Sequence, residues 1–257
     1  MSADPPAPRG ALVLVPNALD FGADAPLLLE QALPLPVIQR AAGLVHWLVE
    51  NPKSARAFLN RVGVVTPLAR PIQELDLRAL PSAKSATSAD AIRALLAPAI
   101  AGAHVGLLCE AGLPGVADPG AALVTAAHQA GLTVEPLPGP SALLLALAAS
   151  GLNGQAFAFV GYLPVRDAER AARIRELDAH SRRARQTQIA IETPYRNGAL
   201  LAALIAHLQP TTRLCVACAL TWPQGWCRTR SVREWQRATE VASIDNRLPA
   251  VFLWQAG

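Results

Sequence analysis

Short apolar segments of strand length alternate with helical segments along the first half of this chain. The first, Ala11-Leu-Val-Leu-Val15, is stopped by Pro16, and later ones end at Glu50, Cys109 and Pro136. Apolar runs of about four to eight residues between turn residues are typical of buried strands. Because parallel neighbours are joined by helical crossovers, the alternation predicts an α/β fold whose first sheet is mostly parallel.

The second half of the chain contains further strand patterns with fewer helices between them, which predicts a mixed second sheet. Its predicted strands cover residues 155–160, 188–191, 214–220, 226–232 and 250–254. The turn signal Asn153-Gly154 follows Gly151, so we place the boundary between two lobes there. The expected organisation is a flexible tail at 1–10, an N-terminal α/β lobe at 11–152 and a C-terminal α/β lobe at 153–257.

The composition favours a well-packed globular protein over a disordered or membrane-spanning one. Charged residues make up 16% of the chain and apolar residues 52%, whereas a usual globular chain is about 25% charged. No apolar run reaches the roughly 18 residues that a membrane span needs. No signal peptide is recognisable either, so we expect a cytoplasmic protein. The net charge of +4 permits an anionic partner without establishing one.

The four cysteines do not predict a metal site. Cys215 and Cys218 form a CxxC pair, but the pair lies in the apolar run 214–220, which is typical of a buried strand. No second CxxC and no histidine cluster completes a zinc site. We therefore interpret the cysteines as small core residues in a reducing compartment.

Two loops rich in glycine and proline directly follow predicted strands. They are CEAGLPGVADPG at 109–120 and PLPGPSA at 136–142. Ligands of open α/β sheets bind beyond the carboxyl ends of the strands, and glycine lets the backbone approach a ligand closely. Neither loop is a GxGxxG or a P-loop, which disfavours dinucleotides and nucleoside triphosphates. The first could also be an ordinary long loop and the second a stiff strand-to-helix turn.

Two charged segments are further candidates for a binding or catalytic site. IETPYR at 191–196 brings a carboxylate, a hydroxyl, a phenol and a guanidinium together. VENPKSAR at 49–56 places Glu50 before Lys53 and Arg56, which share one face of the predicted helix. These groups could bind a ribose, an amine or an anion. A helix start capped by Thr193 and a solvated helix face explain the same residues without a function.

Taken in order, these segments resemble the tetrapyrrole (corrin/porphyrin) methylase superfamily, and most closely its ribosomal RNA small-subunit methyltransferase I branch. The motifs that carry the resemblance are EAGLPGVADPG at 110–120, PLPGPSA at 136–142, FVGYLP at 159–164, ETPYR at 192–196 and LPAVFLW at 248–254. The resemblance implies two αβα lobes, a homodimer, and S-adenosylmethionine bound in the cleft between the lobes. By motif position, the implied cofactor contacts are Pro16, Gly112, Leu113, Pro114, Val116, Ala117, Ser141, Ala142, Glu192, Thr193, Leu220, Thr221, Pro249 and Ala250.

Three departures from that branch concern the substrate side more than the cofactor side. The loop PNALDFG at 16–22 stands where the branch carries a threonine- and glycine-rich loop, and ENPK at 50–53 stands where it carries an EDTR-like segment. The chain also ends just after the last predicted strand, where the branch continues into a further C-terminal region. Methyl transfer is therefore better supported than specificity for ribosomal RNA.

The resemblance predicts an S-adenosylmethionine-dependent methyltransferase that acts on RNA, in the manner of a ribosomal RNA 2'-O-methyltransferase. The candidate bases or orienting groups are Glu50, Glu110 and Tyr195, while Arg196 and Lys53 are candidates for holding an anion. Residues 166–185 hold seven arginines against four acids, which could track phosphates. A solvated arginine-rich helix is an equally good explanation.

Two alternatives to RNA methylation stay open at this point. One is a tetrapyrrole or other small-molecule methyltransferase, whose cleft Trp47, Trp222 and Trp226 could line. The other is a non-catalytic homologue that binds the cofactor without transferring its methyl group, for which the altered loop at 16–22 is the only support.

Overall fold

A computed structural model describes residues 9–20, 22–23, 27–81, 88–237 and 244–257. The chain divides into two compact units, and the division falls between Ser141 and Ala142. Each unit is built around one five-stranded sheet. Of the predicted flexible tail at 1–10, residues 1–8 lie outside the described residues.

The first sheet is entirely parallel, as the alternation of strands and helices predicts. Its strands are β1 (Ala11–Val15), β2 (His46–Val49), β3 (Asp76–Ala79), β4 (Val105–Leu108) and β5 (Thr133–Pro136). They lie in the order β3-β2-β4-β1-β5. All five carboxyl ends therefore meet at one edge of the sheet. The two glycine- and proline-rich loops follow β4 and β5, so they emerge on either side of β1.

Helices cover both faces of the first sheet. They are α1 (Leu29–Ala32), α2 (Leu35–Ala42), α3 (Pro52–Val65), α4 (Ala89–Leu95), α5 (Ala97–Ile100) and α6 (Ala121–Gln129). Successive residues of a strand point to opposite faces. On β1, Val13 belongs to the core cluster that includes α2 and α3, whereas Leu12 belongs to the cluster that includes α5 and α6.

The second sheet is mixed, which confirms the prediction for this half of the chain. Its strands are β6 (Phe157–Tyr162), β7 (Thr187–Ile191), β8 (Arg213–Cys218), β9 (Trp226–Ser231) and β10 (Ala250–Gln255). They lie in the order β6-β7-β10-β8-β9, and only β6 and β7 are parallel neighbours. The helices are α7 (Ala142–Ser150), α8 (Asp167–Ala184), α9 (Asn197–His207) and α10 (Val232–Arg237).

The division between the units places α7 with the second sheet. Its residues Ala146 and Leu147 share a core cluster with Cys215 and Leu253 of that sheet. The turn signal Asn153-Gly154 follows this apolar helix, so the sequence alone predicts that the helix belongs to the N-terminal lobe. A helix joins the sheet on which it buries its apolar surface, and the turn signal alone does not report that choice.

The sequence does not predict α2, β3, α10 or the short 3-10 helix before β3. The stretch 66–85 was interpreted as loop, but it contains a short 3-10 helix at Ile72–Glu74 and the strand β3; residues 82–85 lie outside the described residues. β3 reads Asp-Leu-Arg-Ala and pairs only with β2, so it lacks the apolar run of a central strand. None of the described helices is long and apolar enough to cross a membrane.

A glycine on β4 makes room for a tryptophan on β2. Gly106 lies opposite Trp47 in the register of the two strands, and Trp47 is 1% exposed. Its Nε1 donates a hydrogen bond to the carbonyl of Leu44 at 3.2 Å. A Cβ at position 106 would lie 2.6 Å from the Cε3 atom of the tryptophan. No van der Waals contact between carbons is that short, so the position requires glycine.

We expect Gly106→Ala to lower the free energy of unfolding by about 1–3 kcal/mol, because the overpacked core must shift around the tryptophan. The measurement is the urea midpoint of unfolding. Gly154→Ala is the matched control, since a Cβ there meets nothing within 4 Å. Equal midpoints for the two variants would contradict the packing argument.

Candidate functional site

Three loops converge at the carboxyl edge of the first sheet. They follow β1, β4 and β5 and begin at Pro16, Cys109 and Leu137. A Cβ at Gly139 would lie 2.2 Å from the Cβ atom of Pro16, and a Cβ at Gly112 would lie 3.5 Å from the carbonyl oxygen of Pro140. The two glycine- and proline-rich loops are therefore packed around the end of β1.

Asn17 joins the end of β1 to the loop after β4. Its backbone exchanges two hydrogen bonds with Gly112, at 2.9 and 3.1 Å. Its side-chain Nδ2 donates to the carbonyl oxygens of Cys109 and Glu110 at 3.2 and 3.0 Å, and its Oδ1 accepts from the backbone N–H of Ala18 at 2.9 Å. Asn17 is buried, so these bonds satisfy groups that would otherwise be costly to desolvate.

The loop after β4 has a backbone that ordinary residues seldom adopt. Gly112, Gly115 and Gly120 have φ angles of 74°, 79° and 141°, and Ala117 has a φ of 63°. Positive φ costs an alanine free energy that glycine does not lose, so the surrounding loop must hold Ala117 in place. The predicted contacts in this loop range from buried Gly112 and Pro114 to exposed Val116 and Ala117.

Three carboxyl groups gather at the ends of β2 and β4. Burial, with repulsion from Asp118 and Glu110, raises the pKa of Glu50 to about 7. Burial likewise raises the pKa of Asp118. Glu110 Oε1 accepts a hydrogen bond from Ser54 Oγ at 3.1 Å, while Glu50 Oε1 is buried without a hydrogen-bond partner among the described residues. Glu50 is thus suited to exchange a proton near neutral pH.

The thiol of Cys109 lies under the same loop. Its Sγ donates toward the carbonyl oxygens of Ala111 and Gly112 at 3.2 and 3.5 Å. Burial and the nearby carboxyl groups raise the pKa of Cys109, so the thiol stays protonated and unreactive at neutral pH. This cysteine behaves as the small core residue that the sequence indicates.

The second unit gathers its own predicted contacts at one edge of its sheet. β10 runs antiparallel to β7 and β8, with Val251 opposite Ile191 and Ala250 opposite Cys218. The ends of β7 and β8 therefore meet the start of β10, and Ala219 N donates to the carbonyl of Pro249 at 2.9 Å. The predicted residues brought to this edge are Glu192, Thr193, Leu220, Thr221, Pro249 and Ala250.

The ETPYR segment forms a closed ion pair. Glu192 Oε1 accepts hydrogen bonds from Arg196 Nη2 at 2.7 Å and from the backbone N–H and the hydroxyl of Thr193 at 2.7 and 3.1 Å. The Glu192 side chain is 5% exposed, and its hydrogen bond raises the pKa of Arg196. The guanidinium also lies 5.7 Å from the ring centroid of Tyr195. Tyr195 itself is 70% exposed.

Sequence reasoning did not identify Asn17, Ser54 or Asp118. Asn17 lies in the loop that departs from the related enzymes, and nothing in the sequence shows which carbonyls it meets. Asp118 lies inside the EAGLPGVADPG motif, where its carboxyl could have been noted as a third acid at the same strand ends. Among the described residues, no group of three or more histidine, cysteine or acidic side chains could hold a metal ion.

One surface groove lies away from all of these residues. It has a volume of about 380 Å³ and lies between α4 and α6, where Arg93, Thr125 and Gln129 line it. None of the predicted site residues contributes to it. The strand-end loops, with their strained backbone and perturbed carboxyl groups, are the better candidate site.

The two sheets and the converging loops define an α/β protein with strand ends of the kind that bind ligands. The family model for Tetrapyrrole (Corrin/Porphyrin) Methylases matches residues 37–231. Two solved structures share the fold: the methyltransferase CobJ, with a TM-score of 0.56 at 21% identity over 89% of this chain and 90% of that one, and uroporphyrin-III-C-methyltransferase from Thermus thermophilus, with a TM-score of 0.51 at 21% identity over 96% and 92%. The chain belongs to the tetrapyrrole methylase family, as its motifs predict.

Curated relatives carry the name ribosomal RNA small subunit methyltransferase I. The protein of Mesorhizobium japonicum is 39% identical over 139 residues, which are 54% of this chain and 46% of that protein. The protein of Vibrio cholerae is 42% identical over 97 residues, which are 38% of this chain and 32% of that protein. The matched part of this chain thus spans less than half the length of these two relatives.

The raised pKa of Glu50 predicts a specific pH dependence of stability. In the unfolded chain this carboxyl ionises near 4.5, whereas in the folded protein it ionises near 7. Glu50 therefore favours folding at low pH, and this contribution is lost as the pH rises through 7. We expect Glu50→Gln to melt at a higher temperature than the parent at pH 8, with the difference shrinking toward pH 5. Melting temperatures measured by calorimetry across this range provide the check.

Glu30→Gln is the control for removing one acidic charge, because Glu30 is exposed on α1. The argument fails if Glu50→Gln and the parent show the same change of melting temperature with pH.

Proposed function

We propose that this protein is an S-adenosylmethionine-dependent methyltransferase that acts on RNA, with a ribosomal RNA 2'-hydroxyl as the class of acceptor. The observation that carries the proposal is the convergence of the β4 and β5 loops on Pro16 at one edge of the first sheet. Family membership supports methyl transfer, and the names of the curated relatives support ribosomal RNA as the substrate.

The residues at this edge fit the proposed cofactor. Glycines with positive φ present backbone amides and carbonyls without side chains, which suits an adenosyl group. The carboxyl groups of Glu50, Glu110 and Asp118 lie close by and complement a positively charged sulfonium. The proposed contacts here are Pro16, Gly112, Leu113, Pro114, Val116, Ala117 and Ser141. The other proposed cofactor contacts are Ala142 and the residues at the edge of the second sheet, which are Glu192, Thr193, Leu220, Thr221, Pro249 and Ala250.

The bound cofactor supplies an electrophilic methyl group, and the protein must position the acceptor and remove its proton. Glu50 is the proposed proton acceptor, because its unpartnered carboxyl oxygen and its pKa near 7 suit a general base. Glu110, held by Ser54, is the proposed orienting group. Tyr195 stays a proposed contact of the acceptor. Arg196 is already bonded to Glu192 and is proposed to hold that carboxylate in place.

Lys53 and Arg56 are the proposed contacts for an RNA phosphate. Both are exposed at the start of α3, three and six residues after Glu50, and neither forms an ion pair with a described residue. The arginine-rich helix α8 is a weaker candidate. Arg166, Arg170 and Arg173 at its start pair with nearby acids, and Arg182 and Arg183 lie in its last turn, where the helix dipole favours cations.

A homodimer is also part of the proposal. β6 is an edge strand, and Phe157, Phe159 and Tyr162 on it are 41%, 37% and 56% exposed. Exposed aromatic side chains on an open strand edge are a feature of surfaces that associate. Light scattering is expected to give twice the mass of one chain, and a monomer mass at micromolar concentration would refute this part.

The test of the proposed function is a titration of the purified protein with S-adenosylmethionine, followed by labelled methyl transfer to small-subunit ribosomal RNA. We expect binding in the calorimeter and transfer that falls steeply as salt increases. Asn17→Ala should weaken cofactor binding by roughly tenfold, because it removes two hydrogen bonds that hold the β4 loop.

The matched control is Asn60→Ala, an exposed change on α3 that should leave binding unaltered. Lys53→Ala combined with Arg56→Ala should weaken RNA binding without changing the affinity for the cofactor. Absence of cofactor binding would overturn the whole proposal. Binding with transfer only to a small molecule, or with no transfer, would replace RNA by one of the two alternatives.

A further inference from the structure

Two cysteines meet across the strand pair at the far edge of the second sheet. β8 and β9 are antiparallel, with Cys215 opposite Thr229 and Ala217 opposite Cys227. The two thiols are therefore diagonal neighbours on one face of the pair, and their sulfur atoms lie 3.4 Å apart. Both are free cysteines.

This pair differs from the one that the sequence suggests. Cys215 and Cys218 are three residues apart on one strand, so their side chains point to opposite faces of the sheet. The CxxC spacing here cannot bring two sulfurs together. The thiol that Cys215 does meet belongs to the next strand, twelve residues along the chain.

The two thiols have unequal surroundings. Cys215 is 0% exposed, whereas Cys227 lies on an edge strand and is partly exposed. The two sulfurs share one hydrogen bond, and this contact lowers the pKa of Cys227. The same contact and burial raise the pKa of Cys215. An accessible thiolate beside a buried thiol is the arrangement of a reactive cysteine with its resolving partner.

We propose that Cys227 and Cys215 are a peroxide-reactive thiol pair that closes to a reversible disulfide. The Cys227 thiolate attacks one peroxide oxygen, the O–O bond breaks, and the products are a sulfenic acid and hydroxide. The Cys215 sulfur then attacks the Cys227 sulfur, the S–O bond breaks, and the proton of Cys215 leaves with the oxygen as water. Two electrons pass from the two sulfurs to the peroxide, so the step is balanced with one peroxide per disulfide.

Closing the bond requires a small movement of one strand. The sulfurs must approach from 3.4 Å to the disulfide length of about 2.05 Å. Among the described residues, β9 pairs with β8 alone, so no second strand ladder has to break when it shifts. The hydroxyl of Thr229 is bonded to the carbonyl of Ser150 at the end of α7, at 2.7 Å. A shift of β9 on oxidation is therefore expected to move or break this hydrogen bond at the end of α7.

The test is native treatment of the reduced protein with millimolar hydrogen peroxide, followed by intact mass measurement and peptide mapping without reductant. We expect loss of two hydrogens, a single cross-link between Cys215 and Cys227, and full recovery after dithiothreitol. Cys227→Ala, at the more exposed position, should abolish the cross-link. Cys218→Ala is the matched control on the opposite face of β8 and should leave the cross-link unchanged.

Three results would overturn the proposal. They are addition of oxygen to Cys227 without a cross-link, a cross-link that uses Cys109 or Cys218 instead, and an equal yield of the same cross-link in urea-unfolded protein. The last result would show that the folded arrangement of the thiols contributes nothing to their reaction.

Discussion

The hydrogen bonds of Asn17 are the interaction on which the candidate site depends. A parallel sheet brings strand ends to one edge, but it does not by itself decide how the following loops pack. Asn17 decides it for the β4 loop, since its backbone bonds to Gly112 and its side chain to the carbonyls of Cys109 and Glu110. Without these bonds, the strained positions from Gly112 to Gly120 would lose the anchor at which the loop begins.

That anchored loop also creates the acidic character of the site. Glu110 and Asp118 lie at its two ends, and the end of β2 brings Glu50 beside them. Three carboxyl groups in a partly buried position cannot all ionise without repelling one another. Burial, the larger cause, and this repulsion together raise the pKa of Glu50 to about 7, and its buried oxygen has no hydrogen-bond partner among the described residues. The loop thus contributes to the protonation of Glu50 near neutral pH.

The sequence predicts the framework of this protein better than the details of its site. Strand patterns in the sequence predict nine of the ten strands, most clearly those buried on both faces, and they miss β3, which is short, charged and at the sheet edge. Glycine and proline predict where the loops turn. Long-range pairs leave no such pattern: Asn17 with Cys109, and Cys215 with Cys227, are separated by 92 and 12 residues. Only the fold shows that they meet.

The two units differ in which cationic side chains are available to bind an anion. At the edge of the second sheet, Arg196 Nη2 already donates to Glu192, while its Nε is buried without a hydrogen-bond partner among the described residues. Drawing Arg196 away would leave Glu192, whose side chain is 5% exposed, without its counter-charge, and an unpaired buried charge is costly. At the first sheet, Lys53 and Arg56 are exposed at the start of α3 and form no ion pair with a described residue. For a phosphate of the proposed RNA substrate, the exposed cations at the start of α3 are therefore better candidates than Arg196 of the ETPYR segment.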